Sequence, residues 1–250
     1  MSRFEIVALI ACGILLSFFA LDWLLPGVGS RTPARRTMSK NNLKNHGLAA
    51  WNWHEANGRA APPGMTIDAE GRPLHGWTTF LLPYLDQGPL YNRVDFDRPW
   101  DDPAHAEVFA ESFELCSNPG LDGPRRPETL IDYAANVRLL PVRPAEAWAG
   151  EPVAEGGAAM GAADGLSQTV LFGEITQGRP PWGQPGNLRD PALGIGAESG
   201  FDGPWETSDG AGGCQFAMCD GGVRFVSASV APEVLRAFAT PAAGDDPGEW

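Results

Sequence analysis

The residues that could carry chemistry do not complete a known catalytic or metal-binding pattern. His54-Glu55 begins like the helix of a zinc protease, but the second His would stand at position 58, which is glycine. The aspartates of residues 95–102 are dense enough to suggest calcium, yet Pro99 and Trp100 stand where an EF-hand needs a ligand and a glycine. We therefore predict no catalytic residue, no metal and no cofactor. A hydrolase remains an alternative, although no nucleophile and base pair is recognisable.

Aromatic residues offer a second kind of site. Nine Trp and 12 Phe against three Tyr could line a surface that stacks on sugar rings. Trp182 and Trp205, which lie in Gly/Pro-rich stretches, are the candidates for such a ligand surface. Packing in a hydrophobic core is the other common use of these side chains.

Charge limits the partners of the chain. The 250 residues carry a net charge of −13, which argues against sequence-independent nucleic-acid binding, because that needs positive charge opposite the phosphates. Residues 1–60 hold seven basic and three acidic side chains, so the chain has a basic front and an acidic body. The 31 Gly and 23 Pro predict long irregular connections.

An apolar segment near the N-terminus is long enough to cross a membrane. Residues 6–25 contain one charged residue, Asp22, and about 20 helical residues span the hydrocarbon core. A cleaved signal peptide is the competing interpretation, but the segment ends in Asp-Trp-Leu-Leu-Pro, a poor cleavage site. We predict a transmembrane anchor at 1–25 with the lipid bilayer as partner. The basic residues after it would, taken alone, keep the body in the cytoplasm.

The rest of the chain predicts a helix followed by strands. A flexible joint at 26–33 precedes a stem helix at 34–57, and shorter helices are expected at 76–91, interrupted at Pro83, and at 105–113. Asp220-Gly221-Gly222 predicts a hairpin turn, and Pro232 begins a terminal helix. The predicted strands are 130–137, 168–175, 214–219 and 223–227.

The cysteines leave the disulfide pattern open. Cys214 and Cys219 are five apart on one predicted strand and would face opposite sides, so we expect no bond between them. A bond from either one to Cys116 remains possible on the sequence alone.

The order of short motifs resembles a large bacterial family, the domain-of-unknown-function 1559 family of exported proteins with a prepilin-like N-terminus. The combination, more than any single motif, is specific, and it covers nearly the whole chain. The motifs are Asn41-Asn42-Leu43-Lys44, Gly47-Leu48-Ala49, Pro62-Pro63-Gly64, Gly76-Trp77, residues 80–87, Phe113-Glu114-Leu115-Cys116, residues 132–136, residues 164–171 with Gly173-Glu174, and Gly212-Gly213-Cys214-Gln215-Phe216 through Asp220-Gly221-Gly222-Val223-Arg224-Phe225.

The resemblance implies an α+β, pilin-like fold: a long N-terminal membrane helix packed on an antiparallel β-sheet with long Gly/Pro-rich loops. Residues 34–250 would form the exported domain, in the periplasm or at the cell surface, anchored to the bacterial inner membrane. Such proteins export their body despite basic residues after the span.

Three departures from the family pattern concern specific positions. Members begin with a Gly-Phe-Thr-x-x-Glu processing site, whereas Phe4 and Glu5 stand side by side here and are the only candidates for processing and assembly. The late motif has a His ten residues before its Asp-Gly, a position held by Gly210. The family cysteine that would pair with Cys116 corresponds to Ser39, so no such disulfide is expected.

The resemblance also marks the late hairpin residues Gly212, Gly213, Asp220 and Gly221. The sequence thus favours a non-catalytic, pseudopilin-like envelope protein that assembles with itself or with other pilin-like subunits. The alternative is an anchored extracytoplasmic protein that binds a glycan or solute.

Overall fold

The computed structural model describes residues 28–58, 61–121, 129–145 and 165–240. Within them the fold is α+β, with sheets in which antiparallel pairs predominate, as the family resemblance implies. The helices are α1 (Val28–Ala56), α2 (Trp77–Leu81), α3 (Gly88–Tyr91), α4 (Ala106–Phe109) and α5 (Pro232–Ala239). The strands are β1 (Met65–Ile67), β2 (Pro73–Gly76), β3 (Tyr133–Asn136), β4 (Val142–Pro144), β5 (Val170–Glu174), β6 (Leu188–Arg189), β7 (Gly213–Met218) and β8 (Val223–Ser227).

The long helix α1 begins earlier than predicted. It starts at Val28 and continues through Pro33, so the predicted joint at 26–33 is wrong from Val28 onward. A proline in a helix removes one backbone hydrogen bond, and here the hydroxyl of Thr37 donates to the carbonyl of Pro33 one turn away. At the other end Gly58, with φ +68°, follows the helix in the left-handed conformation typical of a C-terminal cap.

Two sheets organise the body. The larger has the strand order β6-β3-β5-β7-β8, antiparallel except for the β3–β6 pair. The smaller has the order β2-β1-β4. The predicted strands at 130–137, 168–175, 214–219 and 223–227 contain or closely match β3, β5, β7 and β8. The four remaining strands have two to four residues, too few to show a hydrophobic period.

The larger sheet separates two hydrophobic cores. One core lies on the face that α1 covers and includes Leu43, Trp77 and Phe172. The other lies on the opposite face and includes Phe216 and, from α5, Phe238. Strand residues alternate between these faces, which explains how one sheet contributes to both cores.

The cysteines follow the same division. Cys219 lies in the core beneath α1 and Cys214 in the core beneath α5, which confirms that they face opposite sides. Cys116, Cys214 and Cys219 are all free and buried, so the bond from Cys116 that the sequence left open is not formed. Burial raises the pKa of the Cys116 and Cys214 thiols well above the usual range, which favours the unreactive thiol form.

Among the described residues, no helix combines the length and apolar character needed to cross a bilayer. The predicted anchor at 1–25, with Phe4 and Glu5, lies outside the described residues.

The hairpin between β7 and β8 confirms the predicted turn. Gly221 has φ +78°, the amide of Gly222 donates to Asp220 Oδ1 over 2.7 Å, and the amide of Met218 donates to the Gly222 carbonyl over 2.9 Å. The turn therefore depends on a backbone conformation that glycine adopts without strain.

Replacing Gly221 by Ala should lower the free energy of unfolding by about 1 kcal/mol, because Ala is strained at this positive φ. An added Cβ would meet nothing within 4 Å, so the loss reports the backbone conformation alone. Gly88→Ala is the matched control, since Gly88 also faces open space but has no positive φ. Chemical denaturation of the full chain in detergent measures both, and equal losses would contradict the prediction.

Candidate functional site

The junction between α1 and the larger sheet brings several buried polar groups together. Ser39, Asn42 and His46 lie on the helix face toward the sheet at spacings of three and four residues, and all three are buried. Gly47 brings the helix close to β7, where its missing Cβ would lie 3.9 Å from the Cβ of Ala217. Side chains of α1 can therefore reach polar groups of the sheet.

The carboxylate of Glu174, at the end of β5, is the centre of this junction and is fully buried. Its Oε1 accepts from Ser39 Oγ at 2.5 Å, Asn118 Nδ2 at 3.0 Å and Gln215 Nε2 at 3.1 Å. The indole Nε1 of Trp205 donates to both oxygens, at 2.9 and 2.8 Å, and the amide of Gln215 donates to Oε2 at 2.7 Å. We name Glu174, Ser39, Asn118, Trp205 and Gln215 the Glu174 cluster.

Tyr133 extends the cluster along α1. Its hydroxyl lies 3.1 Å from Ser39 Oγ, accepts from Asn42 Nδ2 at 3.3 Å and donates to the carbonyl of Ser117 at 3.4 Å. Burial, together with the charge of Glu174, raises the pKa of Tyr133 above its usual range, so the hydroxyl keeps its proton. Two residues of α1 are thus bonded to one tyrosine of β3.

Asp132 holds the loop that supplies Asn118. The fully buried carboxylate accepts from the amide of Asn118 at 2.6 Å through Oδ2. Its Oδ1 lies 3.4 Å from the guanidinium of Arg179. Asp132 therefore holds the backbone of the loop after Cys116 at Asn118, and Glu174 holds the side chain of the same Asn118.

The electrostatics of Glu174 favour binding of protein donors over reaction with a substrate. Burial raises the pKa of this carboxyl, and hydrogen bonds from Ser39 and Gln215 oppose that effect. Donors from four parts of the chain surround both oxygens, so a substrate would have to displace one of them. A buried carboxylate that is fully hydrogen-bonded in this way fastens the elements that contribute the donors.

A groove beside the cluster has a different character. It has a volume of about 590 Å³ and lies between the first turns of α1 and the α1-facing side of β7 and β8. Gln215 belongs both to the groove and to the Glu174 cluster. We name it the basic groove; its lining residues are Thr32, Pro33, Arg36, Thr37, Lys40, Gln215, Val223 and Phe225.

Arg36 dominates the wall of the basic groove. Its guanidinium lies 3.7 Å above the ring centre of Phe225, a cation–π contact. Its backbone carbonyl accepts from Gln215 Nε2 at 3.1 Å. Partial burial lowers the pKa of Arg36 and the Glu174 carboxylate raises it. Arginine remains charged through such shifts, so the groove carries a fixed positive charge.

The predicted hairpin residues lie at a second contact with α1. Trp51 Nε1 donates to the carbonyl of Cys219 at 2.6 Å, directly before Asp220. Gly213 begins β7, and a Cβ there would lie 2.2 Å from the ring of Phe225, so only glycine fits against this strand. The hairpin motif thus has a packing role beneath the stem helix.

The predicted ligand surface at Trp182 and Trp205 is wrong. Both side chains are buried, with exposed fractions of 1% and 3%. Trp182 packs on Phe109 and Phe113 and donates to the carbonyl of Glu111 at 2.7 Å. The irregular loops turn these indole rings into the body, because burying a large aromatic ring removes much apolar surface from water and stabilises the fold.

Glu174 belongs to the motif Gly173-Glu174, but its sequence pattern did not mark it as the centre of a polar cluster. A signal was present, because a glutamate within the apolar run Val170–Ile175 must either face solvent or find buried partners. The donors, however, come from distant parts of the chain, and no local spacing relates them.

His46 is a second buried polar residue at the junction. Its Nε2 lies 3.0 Å from the carbonyl of Leu115, and its Nδ1 has no hydrogen-bond partner among the residues that the structure describes. The ring packs among Trp77, Tyr133 and Phe172. Burial lowers the pKa of His46 to about 4, so the ring is neutral above that pH.

One family model, described as "Protein of unknown function (DUF1559)", matches residues 30–208. The matched region contains every member of the Glu174 cluster except Gln215. Neither the curated proteins nor the solved structures compared with this chain contain a match.

Replacing Glu174 by Gln should lower the free energy of unfolding by about 2–4 kcal/mol, because charge-assisted bonds are lost and an amide donor faces other buried donors. Glu107→Gln, at an exposed position of α4, makes the same chemical change and should shift stability by less than about 0.5 kcal/mol. Denaturant titration of the full chain compares the two. A loss for Glu174→Gln no larger than for the control would exclude the clamping role.

Acid should destabilise the fold in part through His46. Its pKa of about 4 lies below the unfolded value of 6.5, so its contribution is complete above pH 6.5 and is lost as the pH falls toward 4. Such a shift corresponds to roughly 3 kcal/mol. His46→Gln, which can still donate to Leu115, should flatten the decline of unfolding free energy between these pH values, whereas Asn45→Gln at the exposed neighbouring position should not. An unchanged pH dependence in His46→Gln would contradict the assignment.

Proposed function

The chain belongs to the DUF1559 family of proteins of unknown function, and on that premise we propose that it is a non-catalytic, membrane-anchored, pseudopilin-like subunit of a bacterial envelope assembly. The observation that carries the proposal is the two-sided character of α1. One face of this 29-residue helix is fastened to the sheet, and the other face is exposed.

The inner face supports a rigid helix–sheet unit. Hydrogen bonds from Ser39 and Asn42 join α1 to residues of β3 and β5, and Leu43, Ala49 and Ala50 pack in the core with exposed fractions of zero. Sliding the helix by one turn would remove Ser39 from Glu174 and leave a buried carboxylate short of a donor. A pilin-like subunit needs such a fixed stem, because its neighbours contact the helix and its body must follow.

The outer face supports contact with another subunit. Met38 and Leu48 are among the most exposed large apolar side chains of the described residues, at 46% and 58%. Contact with a partner would remove the apolar surface of these side chains from water, and Leu48, the more exposed of the two, is the position that we propose for such a contact. The partner we propose is another copy of the chain or another pilin-like subunit.

The sequence supplies the membrane part of the proposal. Residues 6–25 have the length and apolar character of a bilayer-spanning helix, and α1 begins three residues later, at Val28. We infer an inner-membrane anchor with the body in the periplasm or at the cell surface. Long domains are exported largely regardless of the charges that follow a span.

The proposal that the protein is non-catalytic rests on the burial of its carboxylate and thiol groups. The carboxylate with the most unusual surroundings, Glu174, is enclosed by its own donors, and the thiols of Cys116 and Cys214 are buried. Trp182 and Trp205 no longer support the alternative of a glycan- or solute-binding protein at those residues, because both are buried.

Leu48→Lys should reduce the cross-linked oligomers of the full chain severalfold in cells, because a lysine charge would have to be buried in the helix contact. Leu193→Lys is the matched control, since Leu193 is similarly exposed, at 54%, but lies far along the chain near α5. Formaldehyde cross-linking of intact cells followed by immunoblotting measures both variants.

Equal oligomer yields for Leu48→Lys and the parent would contradict the assembly role. Protease added to spheroplasts tests the location independently, and an undigested body would contradict export. The intact mass of the membrane-extracted chain then shows whether its N-terminus has been processed.

A further inference from the structure

The basic groove combines positive charge with neutral hydrogen-bonding groups and an apolar floor. Arg36 and Lys40 stand one helical turn apart on its wall, and the hydroxyls of Thr32 and Thr37 lie on the same stretch of α1. Val223 and Phe225 form the floor, and none of the described residues that line the groove is acidic. This lining is therefore suited to a ligand that has an anionic group, several hydroxyls and an apolar surface.

Arg36 is held in position for an anionic group. The guanidinium rests 3.7 Å from the ring centre of Phe225, and the bond from Gln215 to the Arg36 carbonyl fixes the backbone behind it. Neither Arg36 nor Lys40 forms an ion pair with a residue that the structure describes. A guanidinium stacked on a ring keeps its donor edge available, and that edge matches the two oxygens of a carboxylate or phosphate.

The shape of the groove favours a small molecule over an added β-strand. Val223 and Phe225 are two residues apart on β8, so their side chains lie on the same face of the strand. The floor of the groove therefore consists of side chains and not of the open strand edge. A peptide that extended the sheet would bind the edge through its main chain. The volume of about 590 Å³ lies within the range of small-ligand sites.

We propose that the basic groove binds an anionic saccharide, with the carboxylate of a uronic acid or the phosphate of a sugar phosphate on Arg36 and Lys40. The sugar hydroxyls would donate to the hydroxyl oxygen of Thr37 and to Oε1 of Gln215, because the Thr37 hydroxyl and the Nε2 of Gln215 already donate to carbonyl and carboxylate oxygens of the protein. The apolar face of a sugar ring would lie on Val223, beside the Phe225 ring that Arg36 covers. This binding does not require self-assembly, so its test is independent of the test of the proposed function.

Isothermal titration of the full chain in detergent tests the site with three probes: tri-galacturonate, neutral galactotriose and glucose 6-phosphate. Tri-galacturonate or glucose 6-phosphate should bind and galactotriose should bind at least roughly tenfold more weakly, because charge-assisted bonds dominate. Which of the two anions binds more tightly identifies the carboxylate or the phosphate as the recognised group. Equal binding of neutral and charged probes, or no binding of either anion, would overturn the proposal.

Variants locate the binding. Arg36→Gln and Lys40→Gln should each weaken the bound anion roughly tenfold or more. Arg36→Lys should recover only part of the loss, because lysine keeps the charge but not the two-pronged donor edge. Lys44→Gln, one turn further along α1 and outside the groove, should bind like the parent.

A thermal unfolding curve for each variant separates binding from folding. Loss of binding in a variant that unfolds like the parent supports the site. Unchanged affinity in folded Arg36→Gln, or an equal loss in Lys44→Gln, would place the anion elsewhere and overturn the proposal.

Discussion

The burial of the Glu174 carboxylate between a helix and a sheet is the constraint on which the rest of the structure depends. Removing a carboxylate from water costs several kcal/mol unless its oxygens are fully hydrogen-bonded. Here the donors come from α1, from the loop after Cys116, from the loop before β7 and from β7 itself. The bond to Ser39 joins residues 135 positions apart, so the carboxylate is satisfied only when the whole topology is assembled. A local interaction could not fix the position of α1 in this way.

Two glycines next to this cluster allow close packing around it. A Cβ on Gly173 would lie 2.5 Å from the ring of Phe201, and one on Gly203 would lie 2.9 Å from Glu174 Oε2. Glycine at 173 lets the ring of Phe201 approach β5 from one face, and glycine at 203 leaves room for the carboxylate of Glu174. The polar junction and the apolar core beneath α5 are therefore packed as one unit, even though the sheet separates them.

The parts of the fold that local patterns determine could be predicted, and the parts that distant contacts determine could not. Continuous apolar runs predicted β5 and β7, and Asp220-Gly221-Gly222 predicted the hairpin because a turn depends on adjacent residues. The short strands β1, β2, β4 and β6 lack a period and form only because neighbouring strands supply their partners. The predicted ligand surface at Trp182 and Trp205 was wrong for a related reason, since the composition of a loop does not reveal whether its side chains are buried.

The side chain of Gln215 connects the structural centre with the surface. Its Nε2 lies 3.1 Å both from Glu174 Oε1 and from the carbonyl of Arg36, so the buried carboxylate orients the amide, and the amide holds the helix turn that carries Arg36. The guanidinium above Phe225 is thus positioned through a chain of direct contacts that begins at Glu174. A change that released Glu174 would free Gln215 and loosen the wall of the basic groove without touching it. The same carboxylate that fastens the stem helix therefore also shapes the basic groove beside it.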